Sequence, residues 1–229
     1  MHELEKMIHV WREEIGREIY HPTLVAHTGK PELNNLRMVS LFLPLLQQRN
    51  SQRNVAYYAT AIIYLALASH DHVNVSGTPS KEQQLRVLAG DYYSGKYYQL
   101  LAKHQEIDLI SKLTESIRLM TEAKTVLYDQ KPLSSQGKEA SVRIIASAPT
   151  RALFQHVGEL RYIELATELS YLAALVENNE FEETKLVDDC IHQIEMTIST
   201  LHEFDADLKD FIKEQIHQVV NSQILQDRR

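Results

Sequence analysis

Apolar residues recur every three or four positions along most of the chain, which is the period of an amphipathic helix. Such stripes predict helices at 4–19, 33–45, 54–70, 80–103, 106–128, 139–147, 150–176, 182–203 and 207–224. Turn residues separate the stripes, and the clearest interruption is a loop near 129–138. No alternating pattern predicts a strand and no short period repeats. We therefore expect an all-α chain, a single helical bundle of about nine helices over residues 1–229.

The pattern also predicts details of individual helices. Residues 54–70 are apolar nearly all round, which is typical of a helix in the middle of a bundle. Ser80 has the side chain and the position of an N-cap, whereas Pro44 is expected to kink or end its helix. The segment 150–176 carries one apolar stripe, formed by Leu153, Val157, Leu160, Ile163, Ala166 and Ser170.

Composition and charge narrow the class of protein. The net charge is -7, which argues against a protein that binds nucleic acid by neutralising its phosphates. The single cysteine, Cys190, excludes an internal disulfide and suits a reducing compartment. The first residues lack the pattern of a signal peptide, and no run is apolar enough to span a membrane. We expect a soluble, cytoplasmic protein without stable membrane insertion.

Negative charge is concentrated in one part of the chain. Residues 177–214 contain 12 acidic residues and 3 lysines. A solvated helix face is the usual explanation of such a cluster, and an acidic docking surface for a partner is the alternative. Charge alone leaves both interpretations open.

Three short runs occur in a fixed order and resemble one family of helical enzymes. The apolar helix 54–70 ends in His70-Asp71, the run Leu-Ala-Gly-Asp-Tyr follows at 88–92, and Pro-Thr-Arg-Ala-Leu-Phe lies at 149–154. Together they resemble the signatures of the trans-prenyl diphosphate synthases, over roughly residues 35–175. The resemblance implies an isoprenoid-synthase-like helical fold.

The departures from the family pattern concern the residues that hold magnesium and diphosphate. Asp71 stands at the first aspartate of the first motif, but His72 and Val75 replace the second and third. Pro149 stands where the family has a diphosphate-binding lysine, and Asp188-Asp189 is all that approaches the second aspartate-rich motif. Ionising an allylic diphosphate requires magnesium ions held by several carboxylates. We therefore expect no catalytic residue, metal site or cofactor in this chain.

The sequence His70-Asp71-His72 also suggests a different metal site. Ligands at i and i+2 point away from each other on a helix, although they can converge at a frayed end. The alternative is a solvated helix terminus, where histidines complement the negative end of the helix dipole.

A prenyl synthase-like chain without its aspartates resembles the small (component I) subunits of hetero-oligomeric hexaprenyl and heptaprenyl diphosphate synthases. This resemblance implies a heterodimer in which a catalytic large subunit binds Mg²⁺ and condenses farnesyl diphosphate with isopentenyl diphosphate, for the side chain of menaquinone. It implies a non-catalytic subunit that stabilises its partner and helps set product length. The sequence leaves open whether the chain forms a self-dimer without its partner.

Two groups of residues are candidates for these roles. The resemblance suggests that the helix before the first motif lines a product tunnel, although it also fits a plain central helix; the candidates are Ala59, Ile62, Ile63, Ala66 and Leu67. Aromatic residues are enriched at interfaces. The candidates for the partner interface, with core packing as the alternative, are Asp91, Tyr92, Tyr93, Tyr97 and Tyr98.

Two other functions remain as alternatives. A stand-alone helical adaptor would use the acidic region 177–214 and would not respond to a prenyl synthase chain. A self-sufficient prenyl enzyme or terpene synthase relative would need the carboxylates that this sequence lacks.

Overall fold

The computed structural model describes residues 3–71, 80–129, 133–177 and 184–226. In these ranges the chain is helical, without strands, as predicted. The helices are α1 (Glu3–Glu18), α2 (Pro22–Thr28), α3 (Asn35–Gln47), α4 (Val55–Asp71), α5 (Lys81–Lys103), α6 (Ile107–Tyr128), α7 (Ser135–Val157), α8 (Ile163–Glu177), α9 (Thr184–Thr200) and α10 (Ala206–Gln226), with a 3-10 turn at Leu160–Tyr162.

The helices form two compact units. Unit 1 comprises Met1–Leu33 and Gln52–Ser111, and unit 2 comprises Asn34–Ser51 and Lys112–Arg229. A single domain over residues 1–229 remains a prediction.

Helix α4 is the centre of unit 1. It packs against α5 and α1, and every residue from Ala56 to Ala66 is buried. This agrees with its apolar sequence on all sides. The predicted stripe on the first helix is buried as well, and consists of Leu4, Met7, Ile8, Trp11, Ile15 and Ile19. At the α1–α4 contact, the Tyr58 hydroxyl donates a hydrogen bond to Glu14.

Helix α2 was not predicted from the pattern. It has seven residues, too few for an apolar period to repeat. Its signals are local: Pro22 occupies the first turn, and the Leu24 amide donates to Nδ1 of His21 over 3.4 Å. The helix stops at Gly29, whose φ of 78° favours glycine.

Helix α8 is the centre of unit 2. It packs against α3, α7, α9 and α10, and every residue from Leu165 to Leu175 is buried. Small side chains allow a close crossing with α3, where the Ser40 hydroxyl contacts the Ala166 carbonyl at 2.9 Å and the Ser170 hydroxyl at 2.5 Å. Buried Arg37 extends from α3 to the Ala146 carbonyl and to Glu177.

The predicted boundary between helices at 147–150 is wrong. Helix α7 continues through Pro149 and ends at Gly158, whose φ of 82° allows the left-handed cap and whose amide bonds to the Phe154 carbonyl. The predicted stripe on 150–176 is therefore divided between α7, the 3-10 turn and α8. Pro149 lacks the amide of the other residues, which weakens a helix without necessarily ending it.

Other local predictions agree with the structure more closely. Ser80 forms a capping box with Gln83 at the start of α5, as predicted. Helix α3 continues three residues beyond Pro44, so that proline does not end it. The predicted loop near 129–138 is shorter, because α7 already begins at Ser135; residues 130–132 lie outside the described ranges.

Candidate functional site

The last turn of α4 lies directly over α5 at Gly90, in unit 1. A Cβ atom at Gly90 would lie 2.4 Å from Nε2 of His70 and 2.6 Å from its Cε1, which is too close for any real contact. The absence of a side chain at Gly90 therefore makes the space that the imidazole occupies. The beginning of the first family motif and the centre of the second meet at this point.

The charged group that faces the imidazole is Asp91. Nε2 of His70 lies 3.6 Å from Oδ1 of Asp91, and these side chains are 38% and 66% exposed. Asp71 is exposed. His72 and Val75, the other positions of the degenerate first motif, lie outside the described residues. Within the described part of the chain, no three His, Cys, Asp or Glu side chains are grouped closely enough to hold a metal ion.

A small polar depression of about 170 Å³ lies beside Ser69 on α4. Two cations line it, and carboxylates neutralise both. Lys30 contacts Glu13 at 2.7 Å, a contact that raises the pKa of Lys30 and lowers that of Glu13. Arg86 contacts Glu82 at 2.8 Å. Neither cation was predicted from the sequence, and Lys30 lies in Gly29-Lys30-Pro31, which has the composition of a turn. The pairing of both cations with carboxylates disfavours binding of a diphosphate.

The four candidate interface tyrosines do not form one surface. Tyr93 and Tyr97 are buried, so they belong to the core of unit 1 and are not available to a partner. Tyr92 is half-buried and meets His21 edge to face, with ring centroids 5.3 Å apart. Tyr98 is 41% exposed and stacks on Tyr97.

One exposed face of α5 combines several of these residues. Leu88, Asp91, Gly95 and Tyr98 follow one another at spacings of three and four, and all four are exposed. Leu88 is 56% exposed, and a Cβ atom at Gly95 would meet nothing within 4 Å. Asp91 therefore belongs both to this face and to the contact with His70.

The tunnel candidates lie along α4 in the core of unit 1. Ala59, Ile62, Ile63 and Ala66 are buried, and Leu67, nearer the end of the helix, is partly exposed. Burial is what a central helix requires, so the structure leaves a tunnel role as a prediction.

The remaining motif positions are in unit 2. The run 149–154 lies within α7, with Pro149, Thr150 and Phe154 buried. Asp188 and Asp189 are exposed on α9, whereas Cys190 between α9 and α8 is buried beside Glu168. Exposed Glu195 and Met196 lie on the outer side of the same helix.

The helical architecture identifies the fold of the chain. It matches a chain of a solved structure described as a mint deletion mutant of heterotetrameric geranyl pyrophosphate synthase in complex with ligands. The TM-score is 0.63, and the match covers 93% of this chain and 98% of that chain at 11% identity. The prediction of an isoprenoid-synthase-like helical fold is confirmed.

The sequence defines the family. Residues 21–225 match the model of heptaprenyl diphosphate synthase (HEPPP synthase) subunit 1, and the chain belongs to this family. The component 1 of heptaprenyl diphosphate synthase from Geobacillus stearothermophilus is 41% identical over 90 residues, which are 39% of this chain. That match spans 41% of the relative's length. No helix in the described ranges is long and apolar enough to cross a membrane.

Proposed function

We propose that this chain is the non-catalytic partner subunit of a medium- or long-chain trans-prenyl diphosphate synthase, in the first place a heptaprenyl diphosphate synthase. It stabilises a catalytic large subunit and helps set the length of the product. Membership of the subunit 1 family supports this role. The structural observation that supports it most is made at the end of α4. There the imidazole of His70 packs on Gly90, and Asp71 is the only carboxylate of the first motif among the residues that the structure describes.

The chemistry of prenyl transfer explains why such a site does not catalyse the reaction. The diphosphate leaves as negative charge develops on it, and magnesium ions held by carboxylates stabilise that charge. One exposed carboxylate in the first motif is too few to fix such a cluster. The nearby cations Lys30 and Arg86 are already paired with glutamates, so the diphosphate would have to compete with fixed carboxylates.

The partner subunit provides the binding sites for metal and substrates that the reaction requires. The catalytic subunit binds Mg²⁺, farnesyl diphosphate and isopentenyl diphosphate, and the two chains form a heterodimer in the cytoplasm. The prenyl product supplies the side chain of menaquinone. The word "component" in the name of the Geobacillus stearothermophilus relative and the heterotetrameric assembly named for the mint synthase both support a partner chain.

The exposed face of α5 is the surface that we assign to the partner. Leu88 and Tyr98 expose apolar atoms there, and Gly95 between them leaves room for another helix to approach closely. Glycine in a helix interior costs about 1 kcal/mol relative to alanine. No contact of its own unit explains Gly95, because nothing lies within 4 Å of the position its Cβ would take.

Analytical ultracentrifugation tests the partnership. The purified chain is mixed with a catalytic large subunit from the same genome, with and without farnesyl diphosphate and Mg²⁺. A stoichiometric complex that neither chain forms alone is the expected result. If the two chains sediment independently under all these conditions, the proposed function is wrong.

The adaptor alternative rests on the outer side of α9, where Asp188, Asp189 and Glu195 are exposed. It predicts that the chain binds some other protein through this side and leaves a prenyl synthase unaffected. Reversing the charge of these three positions would abolish that binding. The same triple variant should assemble normally with the catalytic subunit if the α5 face is the interface.

A further inference from the structure

The contact of His70 with Gly90 is an unusual use of a glycine in a long helix. Gly90 lies in the middle of the 23-residue α5, where alanine would favour the helix by about 1 kcal/mol. The atoms that would meet a Cβ there are Nε2, Cε1 and Cδ2 of His70. The position of the imidazole therefore explains why residue 90 has no side chain, and the two residues are complementary in shape.

Stability of the chain alone does not explain this pair. The side chain of His70 remains 38% exposed, so a large part of the imidazole still contacts solvent when it lies over Gly90. Its polar contact with Asp91 spans 3.6 Å between side chains that both reach solvent, and such surface pairs contribute little to folding. The contact therefore sets the relative positions of His70, Gly90 and Asp91 more than it adds to the free energy of folding.

The geometry that it fixes connects two elements. His70 belongs to the last turn of α4, and Asp91 belongs to the exposed face of α5 together with Leu88 and Tyr98. A movement of the imidazole changes the surroundings of Asp91 directly. The end of α4 is therefore linked mechanically to the surface that we assign to the partner.

We propose that His70 is a positioning residue: seated over Gly90, it holds Asp91 and the adjacent face of α5 in the arrangement that the catalytic subunit binds. This inference rests on the proposed function and adds a specific residue to it. His70 does not touch substrate in this account. It acts through Asp91.

The structure offers two independent ways to remove the imidazole from its place. His70→Ala deletes the ring. Gly90→Ala keeps the ring but puts a methyl group in its space, and the ring can turn away because the atoms that clash are at the far end of a rotatable side chain. Both variants should disturb partner binding, although they affect the isolated chain in opposite ways, since alanine at position 90 also favours the helix.

The experiment measures affinity for the purified catalytic subunit by titration calorimetry, with the melting temperature of each isolated variant determined in parallel. We expect His70→Ala and Gly90→Ala each to weaken binding by about five- to tenfold, the size of one lost positioned contact. The double variant should be no weaker than His70→Ala, because both changes remove the same contact. His70→Gln, which keeps a polar side chain beside Asp91, should recover part of the affinity.

Tyr58→Phe is the matched control, because it loses the hydrogen bond to Glu14 elsewhere on α4 and should bind the partner normally. Wild-type affinity, within twofold, in both single variants would overturn the inference. So would an equal loss in Tyr58→Phe, which would show that any destabilisation of α4 suffices. If the wild-type chain fails to bind the catalytic subunit, the proposed function and this inference are both overturned.

Discussion

Arg143 forms a two-point ion pair with Glu168, with Nε to Oε1 at 3.0 Å and Nη2 to Oε2 at 3.1 Å. The pair joins α7 to α8 in unit 2. The guanidinium also contacts Glu139 at 3.0 Å and lies over the ring of Tyr171, 4.0 Å from its centroid. Since Glu168 is buried, its charge depends on Arg143 for compensation.

Removing this arginine should therefore destabilise the chain strongly. We expect Arg143→Ala to lower the free energy of unfolding by about 2–4 kcal/mol, because it leaves a buried carboxylate unpaired. Denaturant unfolding measures the change. Arg118→Ala is the control, since Arg118 pairs with Glu115 and Glu122 on an exposed surface and its removal should cost much less. Equal losses in both variants would contradict the argument from burial.

The thiol of Cys190 should be unreactive while the chain is folded. Burial, with the nearby carboxylate of Glu168 as the second cause, raises the pKa of this thiol. We expect its reaction with a disulfide reagent at pH 8 to be at least roughly a hundredfold slower than in denaturant, since it requires opening of the fold. Fast reaction in the native chain would show that the α8–α9 contact is open.

The raised thiol pKa also has a consequence for stability. Below pH 9.0, the ordinary value, folded and unfolded thiols are both protonated and the contribution of Cys190 is fully present. Above pH 9.0 the unfolded chain loses this proton first, so stability falls as the pH rises. Cys190→Ala should show a shallower decline in melting temperature between pH 9 and pH 10.5. Parallel curves for the two proteins would contradict this assignment.

The α5 face should matter for assembly and little for folding. Leu88→Glu and Tyr98→Glu place charges on exposed positions, so we expect changes in unfolding free energy within about 1 kcal/mol. Partner affinity should fall at least about tenfold, because each charge would be buried in the interface. Met196→Glu on α9 is the matched control, with an exposed apolar residue replaced in the same way. A loss of affinity only in Met196→Glu would favour the acidic side of α9 instead.

The tunnel prediction is best tested at Leu67. Phenylalanine at buried Ala59 or Ala66 would overpack the core and cost about 1–3 kcal/mol, so a change in product would be ambiguous. Leu67 is partly exposed, and Leu67→Trp should leave the fold intact. If α4 flanks the growing chain, the assembled synthase should release shorter products, measured by chromatography of the dephosphorylated prenols. Unchanged product length with normal assembly would count against a tunnel role.

Much of the fold follows from local and periodic signals in the sequence. The stripe from Leu4 to Ile19 is buried because one apolar face can only be satisfied by packing, and Ser80 caps α5 because its hydroxyl satisfies an otherwise free amide. The boundary of α7 was mispredicted, because whether a helix tolerates a buried proline such as Pro149 depends on packing around it. Helix α2 was too short to show a period.

The candidate site was predictable only in part. The motif signatures located His70 and Asp91, but the space over Gly90 arises from the crossing of two helices and cannot be seen in either segment alone. The tyrosine pairs predicted an aromatic patch, yet residues one position apart point 100° away from each other on a helix. Tyr97 therefore enters the core while Tyr98 remains exposed.

A prenyl transfer assay tests the central claim most directly. It uses labelled isopentenyl diphosphate, farnesyl diphosphate and Mg²⁺ with this chain alone, with the catalytic large subunit alone, and with both. We expect long prenyl products only in the mixture. Products formed by this chain alone, or a catalytic subunit whose rate and product length are unchanged by this chain, would contradict it.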